Sequence, residues 1–204
     1  MSHWKRILKV IGSPSSELYE LKYYKLWPLW PTIIILLAWY AAEVLSAFGT
    51  DFKFNYRNLN EVNILYILGA TIGLYLLFTV VNWAVTTLMD GKGKLREIFC
   101  ATSYALIPWV IARLTCVALS HFTIMEEGSF MTIIEVFAIL YSVFLFMAAM
   151  TTIHDYTLLK AVCSVALSAA GIVFVLFLLV LFFGLLQQVT LFAQTIYMEL
   201  QLRR

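Results

Sequence analysis

"VNILYILGATIGLYLLFTVVNWAVTTLM" runs from Val62 to Met89 without one charged side chain. An apolar run of about 18 residues or more crosses the ~30 Å hydrocarbon core of a bilayer as a helix, because a helix makes all its backbone hydrogen bonds internally. Four further runs of this kind lie at Trp27 to Phe48, Ile98 to Ser120, Phe130 to Thr152 and Ala161 to Leu186. The 204-residue chain is 62% hydrophobic and 13% charged, where soluble domains carry about a quarter charged residues. The sequence predicts an all-α integral membrane protein, a bundle of five transmembrane helices with a short amphipathic N-terminal segment. Residues 1–26 are then a cytoplasmic amphipathic segment, 27–186 the membrane domain and 187–204 a short extracytoplasmic tail. The first run lies too far from Met1, and lacks the small-residue cleavage site, to read as a signal peptide.

The charges set the expected orientation. With the N-terminus cytoplasmic, Lys5, Arg6, Lys9, Lys22, Lys25, Lys92, Lys94, Arg96 and Lys160 fall inside, and Lys53, Arg57, Arg203 and Arg204 outside. The positive-inside bias favours that arrangement, with Trp27 and Trp30 as aromatic anchors where the first span begins. No basic run is dense enough to point to nucleic acid. Cys100, Cys116 and Cys163 lie within or at the edge of spans and read as small packing residues, with acylation of Cys100 or Cys163 as the alternative.

In "HWKRILKVI", Trp4, Ile7, Leu8 and Ile11 share one helical face while Lys5, Arg6 and Lys9 take the other, an interfacial pattern. Ser13 and Pro14 end it and open a second short helix. Gly69 and Gly73 lie four apart in the second span, a spacing that lets another helix backbone approach, within the bundle or, as the alternative, in a dimer. Small residues at the end of the fourth span, "MAAMTT", and at Cys163, Ser164, Ser168 and Gly171 predict a tight antiparallel hairpin of the last two spans. Pro108 removes a donor to the carbonyl of Tyr104 and should bend the third span there.

Between the second and third spans stands "MDGKGKLREIF", Met89 to Phe99. A phosphate-binding P-loop needs GxxxxGK[ST] between a strand and a helix, and Gly91, Lys92, Gly93 and Lys94 have neither the spacing nor the strand. The stretch reads as a short cytoplasmic turn whose Lys92, Lys94 and Arg96 fix topology and meet anionic headgroups. GxSxG and HExxH are absent. Glu126-Glu127 lacks the Arg expected four residues on in prenyl-protease-like enzymes, since Met131 stands there. His121 and His154 fall at opposite membrane faces, so His121, Glu126, His154 and Asp155 do not converge on a metal. No cofactor motif and no catalytic set emerges.

"VNWAVTTLMDGKGKLREIFCATSYALIPWVI", followed by "TTIHDYTLLKAVCSVAL", resembles the Yip family, the Ypt/Rab GTPase-interacting membrane domain, in its bacterial form. The matching features are the polar turn with Gly91 and Gly93, the Tyr104 and Pro108 pair, and a turn with His154 and Lys160 before an Ala-rich fifth span. The resemblance implies a non-enzymatic protein with five spans, a cytoplasmic N-terminus and an exported C-terminus. Eukaryotic members are associated with Rab-type GTPases, other Yip proteins and vesicle traffic or membrane shaping. Here the long cytosolic N-terminal region and the DLYGP-type motif are missing, so binding of a Rab-type GTPase is not carried over, and a bacterial plasma membrane is the expected location.

The expected function is a membrane adaptor or scaffold that contacts lipid, other membrane proteins or a copy of itself through a cytoplasmic face with Lys92, Lys94, Arg96 and His154. The alternative is a transport-associated subunit or small permease with an intramembrane polar site of Arg113, Glu135, Glu43 and Asn82, the last also read as an interhelical hydrogen bond. Arg113 stands about eight residues from the end of its span, roughly 12 Å deep at ~1.5 Å per residue. An unpaired Arg near mid-bilayer costs ~2.5–3.5 kcal/mol on insertion scales, so pairing with Glu135 or Glu43 is expected. Orientation is directly testable: reporter fusions should show residue 1 cytoplasmic and a fusion after Arg204 exported, and a cytoplasmic reporter active after Arg204 would remove one span from the count.

Overall fold

The computed structural model describes residues 9–24 and 26–202. Its helices are α1 (Pro14–Tyr23), α2 (Leu29–Gly49), α3 (Ile64–Leu88), α4 (Leu95–Tyr104), α5 (Ile107–Ser120), α6 (Gly128–His154) and α7 (Leu158–Leu202), with 3-10 turns at Leu59–Glu61 and Met125–Glu127. No strand occurs among the described residues. With α4 and α5 taken as one interrupted segment, five segments are long and apolar enough to cross a membrane. The molecule is an all-helical, multi-pass integral membrane protein. Trp4, Lys5, Arg6, Ile7 and Leu8 of the amphipathic stretch, and Lys25, Arg203 and Arg204, lie outside the described residues.

One end of the bundle, the near end, gathers α1, the α3–α4 turn and the α6–α7 turn. The far end carries the α2–α3 and α5–α6 loops. Both near-end turns stop a helix in the same way. Asp90 and Asp155 adopt left-handed backbone, φ 58° and 55°, and the N–H of the next residue reaches back into the last helical turn, Gly91 to the Thr86 carbonyl at 2.7 Å and Tyr156 to that of Thr151 at 3.1 Å. This closes the last turn on carbonyls that would otherwise lack donors, and Asp is among the few non-glycine residues that tolerate that conformation.

α1 is not a free amphipathic segment. Pro14 opens it, and Leu18 and Leu21 are buried with Val10, Trp27, Ile98, Tyr104, Met150 and Ile153 in one core cluster. Its main partner is α6. Trp27, expected as an interface anchor, is instead core: its ring stacks on Tyr104 at 6.4 Å. The third span breaks where proline predicts, since α4 ends at Tyr104 and Pro108 sits in the first turn of α5, where its missing N–H costs nothing.

Three expectations are corrected. Gly69 and Gly73 do not receive another helix of the same chain: both are exposed, and a side chain added at Gly69 would meet nothing within 4 Å. They bound a π-helical turn, Gly69–Gly73, and the extra residue per turn rotates the face, so that Thr71 is buried instead. The small residues of the fifth span serve a different neighbour as well, because α7 packs chiefly along α3 and only lightly on α6. Ser164 and Ser168 are fully buried there, and a Cβ on Gly171 would lie 2.7 Å from Val81 Cγ1. Finally, residues 187–202, expected as a tail, continue α7 without a break. Gln187 and Gln188 interrupt the hydropathy, yet neither is a helix breaker and no proline follows.

Two glycine substitutions check this packing. Gly171→Val should overpack the α3–α7 contact, a change that costs typically 1–3 kcal/mol, and lower the melting temperature in mild detergent by several degrees. Gly69→Val should leave it within about a degree, as expected where no neighbour crowds the site.

Candidate functional site

At the near end, chain sterics draw three elements together. A methyl group on Gly91 would lie 2.7 Å from His154 Nδ1 and from the Tyr156 hydroxyl, and one on Gly93 2.5 Å from Ile153 Cγ2 and 2.7 Å from His154 Cε1. Only glycine allows the α3–α4 turn to sit this close to the end of α6. His154 is 1% exposed, stacks on Tyr156 with centroids 5.2 Å apart, and has no hydrogen-bond partner on either ring nitrogen among the described residues. The Tyr156 hydroxyl donates to the Met89 carbonyl at 3.1 Å, tying one turn to the other.

Charge closes this latch. Lys22 of α1 donates to the Thr152 carbonyl at 2.9 Å and pairs with Asp155 at 2.7 Å, while Lys92 reaches the other Asp155 oxygen at 3.3 Å. The hydrogen bond from Lys22, seconded by Lys92, holds the Asp155 carboxyl below its usual range. The latch is therefore charged at neutral pH, and its contribution fades only as acid protonates that carboxyl. The Tyr141 hydroxyl donates to the Ile11 carbonyl, adding a second tie between α6 and the N-terminal segment.

Of the residues expected to form an open partner face, His154 is buried, while Lys92, Lys94 and Arg96 remain exposed. His154 is not on any exposed face, because the glycine turn covers it. Lys92 is exposed but paired, and Arg96 Nε donates to the Trp27 carbonyl at 3.0 Å. Lys94 stays exposed at the start of α4, its backbone N–H bonded to Glu97. Cys100 is fully buried, which removes it as an acylation site, whereas Cys163 is exposed.

The second polar cluster lies toward the far end, between α2, α5 and α6. Arg113 Nη1 meets Glu135 Oε1 at 2.5 Å, and its Nη2 and Nε each lie 3.4 Å from Glu43 Oε2. Trp109, one turn earlier on the same face, donates from its indole to Glu43 Oε1 at 3.0 Å, and the guanidinium lies 5.2 Å from the Trp109 ring centroid. The cluster answers the partial desolvation of the Arg113 guanidinium with two carboxylates from two other spans. Asn82 does not join it. It is fully buried between α3 and α7, where Nδ2 donates to Ser168 Oγ at 3.0 Å and Oδ1 has no partner among the described residues. An Asn in an apolar run signals an interhelical contact but not which helix supplies it.

Two cavities flank Glu43 and Arg113 on the far side. One, of roughly 520 Å³, is lined by Arg57, Arg113, Glu135 and a group of hydroxyl side chains. The other, of roughly 590 Å³, is lined by Glu43, Arg57, Glu61 and Trp109. Arg57 carries no mark in the sequence that points to this place, being one of two loop cations, with Lys53, outside any periodic pattern.

A family model for the Yip1 domain matches residues 8–195. The chain belongs to the Yip1 domain family. No curated protein and no solved structure matches it. Gly91, Gly93, His154 and Tyr104, noted in the sequence for their family likeness, are all inside the near-end core or its latch, and Pro108 starts α5. In this Yip1 domain these positions carry packing and turn geometry.

The Arg113 cluster can be dissected by a double-mutant cycle in mild detergent. Arg113→Ala with Glu135→Ala, and Arg113→Ala with Glu43→Ala, should each show coupling within the ~0.5–3 kcal/mol seen for residues in one network, with Glu135 the more strongly coupled of the two. Strictly additive losses at both carboxylates would show that the contacts carry no energy.

Proposed function

We propose that this Yip1 domain protein is a non-enzymatic membrane adaptor or scaffold that meets protein or lipid partners through its near end, with that end in the cytoplasm of a bacterial cell. The observation that carries the reading is the latched α1. Its inner face is locked to α6 and to Asp155, and its outer face presents Tyr19, Tyr23 and Tyr24 at 61%, 70% and 63% exposure. Tyr19 stacks on Tyr23 at 6.4 Å and Tyr23 meets Tyr24 edge-on at 5.2 Å. A rigid group of exposed tyrosines, apolar in body and polar at the tip, suits a protein interface or a headgroup layer. The charge asymmetry of the loops supports the cytoplasmic assignment.

The rival reading, a transport-associated subunit or small permease, draws on the far-end cavities beside Arg113. The two separate cleanly. A photo-crosslinking residue at Tyr23 in living cells should give discrete adducts that Tyr19→Ser and Tyr24→Ser diminish and that the same probe at Phe52 does not give. Absence of any light-dependent adduct at Tyr23, or solute flux through the purified protein in liposomes above that of empty liposomes, would overturn the adaptor reading.

A further inference from the structure

The roughly 520 Å³ far-end cavity has the size of a small-molecule site. Its walls come from α2, α5, α6 and the loop after α2, and it holds two opposite charges with unused capacity. Arg57 has no carboxylate partner among the described residues; its backbone N–H bonds the Asn55 side chain at 3.2 Å. Glu135 gives one oxygen to Arg113, and its second oxygen has no protein partner among the described residues. The same cavity is lined by Ser46, Ser129 and Thr132, whose hydroxyls again have no protein partners among the described residues.

The charge balance selects the ligand. Arg113 is already met by Glu43 on its other side, which leaves Arg57 and Glu135 as one charge of each sign lining the cavity. A net anion or cation would answer only one of them, while a neutral zwitterion answers both. A planar guanidinium with nearby hydroxyls suits a phosphate, to which it donates two parallel hydrogen bonds. A carboxylate oxygen suits an ammonium that can donate in return.

We propose that this cavity binds a phosphoethanolamine-type zwitterion, with the phosphate on Arg57 and the hydroxyls of Ser129 and Thr132, and the ammonium on Glu135. The group can come from a lipid headgroup or from a soluble phosphodiester, since both present the same two charges. A quaternary choline head fits less well because its ammonium has no N–H to donate to Glu135.

The test is thermal unfolding of the full chain in mild detergent, titrated with phosphatidylethanolamine, phosphatidylcholine, phosphatidylglycerol or water-soluble glycerophosphoethanolamine. Saturable stabilisation should be strongest with the ethanolamine compounds. Arg57→Ala should melt like the parent without ligand, because the side chain is exposed and makes no ion pair among the described residues, yet bind about tenfold more weakly, as fits loss of a charge-assisted contact. Arg57→Lys should recover most of the affinity, and Lys94→Ala at the other end should bind like the parent. Response to the lipid alone assigns the site to a headgroup, and response to the soluble compound alone to a free phosphodiester; both sustain the proposed chemistry. Equal stabilisation by all four compounds, none by either ethanolamine compound, or an Arg57→Ala titration that overlays the parent, would overturn it.

Discussion

The end of α6 and the α3–α4 turn approach so closely that no side chain fits between them at Gly91 and Gly93. A Cβ at either position would lie under 3 Å from His154, well inside van der Waals contact. That single steric condition sets the near end. It buries His154, places the Tyr156 hydroxyl under the end of α3, and puts Asp155 where lysines from α1 and from the glycine turn both reach it. Most of the continuous apolar core belongs to this end, and so does the N-terminal helix, which is a structural part of the bundle.

The far end is governed by solvation of charge. Arg113 is a part-buried charge partway along a membrane-spanning segment, a position made tolerable by the carboxylates that meet it. Those carboxylates come from α2 and α6, and α5 presents both Arg113 and Trp109 to them because the two lie one turn apart on the same face. Three spans are thus tied by hydrogen bonds and ion pairs rather than by apolar interdigitation alone. Cavities lie on both sides of the cluster, and loop residues such as Arg57 reach into them.

The two ends therefore differ in kind. One is closed and latched, with an exposed tyrosine face on α1; the other is polar and holds open space between helices. α7 stands partly apart from both. Its first turns pack on α3 through Ser164, Ser168 and Gly171, whereas every residue from 176 to 199 is exposed in the isolated chain. At ~1.5 Å per residue, its 42-residue helical stretch Leu158–Glu199 is about twice the length that a bilayer core requires.

The sequence by itself determined the membrane-spanning character, the number of spans, the break at Pro108 and the need for a partner to Arg113. These follow from local rules: apolar length, a missing backbone donor, the free energy of an isolated charge. Membership of the Yip family was also legible, in the order of the glycine turn, Tyr104, Pro108 and the His154 turn. Only the tertiary structure decided which faces meet. Gly69 and Gly73 looked like a helix contact, but a π-helical turn shifted the buried position to Thr71. Asn82 could be grouped with Arg113 or read as an interhelical hydrogen bond, and the structure has the hydrogen bond, to Ser168 of α7. His154 and Lys92 both looked available to partners, but His154 is covered by glycines from a distant turn, whereas Lys92 stays exposed beside Asp155. Spacing along a helix states that two residues share a face. It does not state what lies opposite, because that depends on how every other helix is rotated and placed.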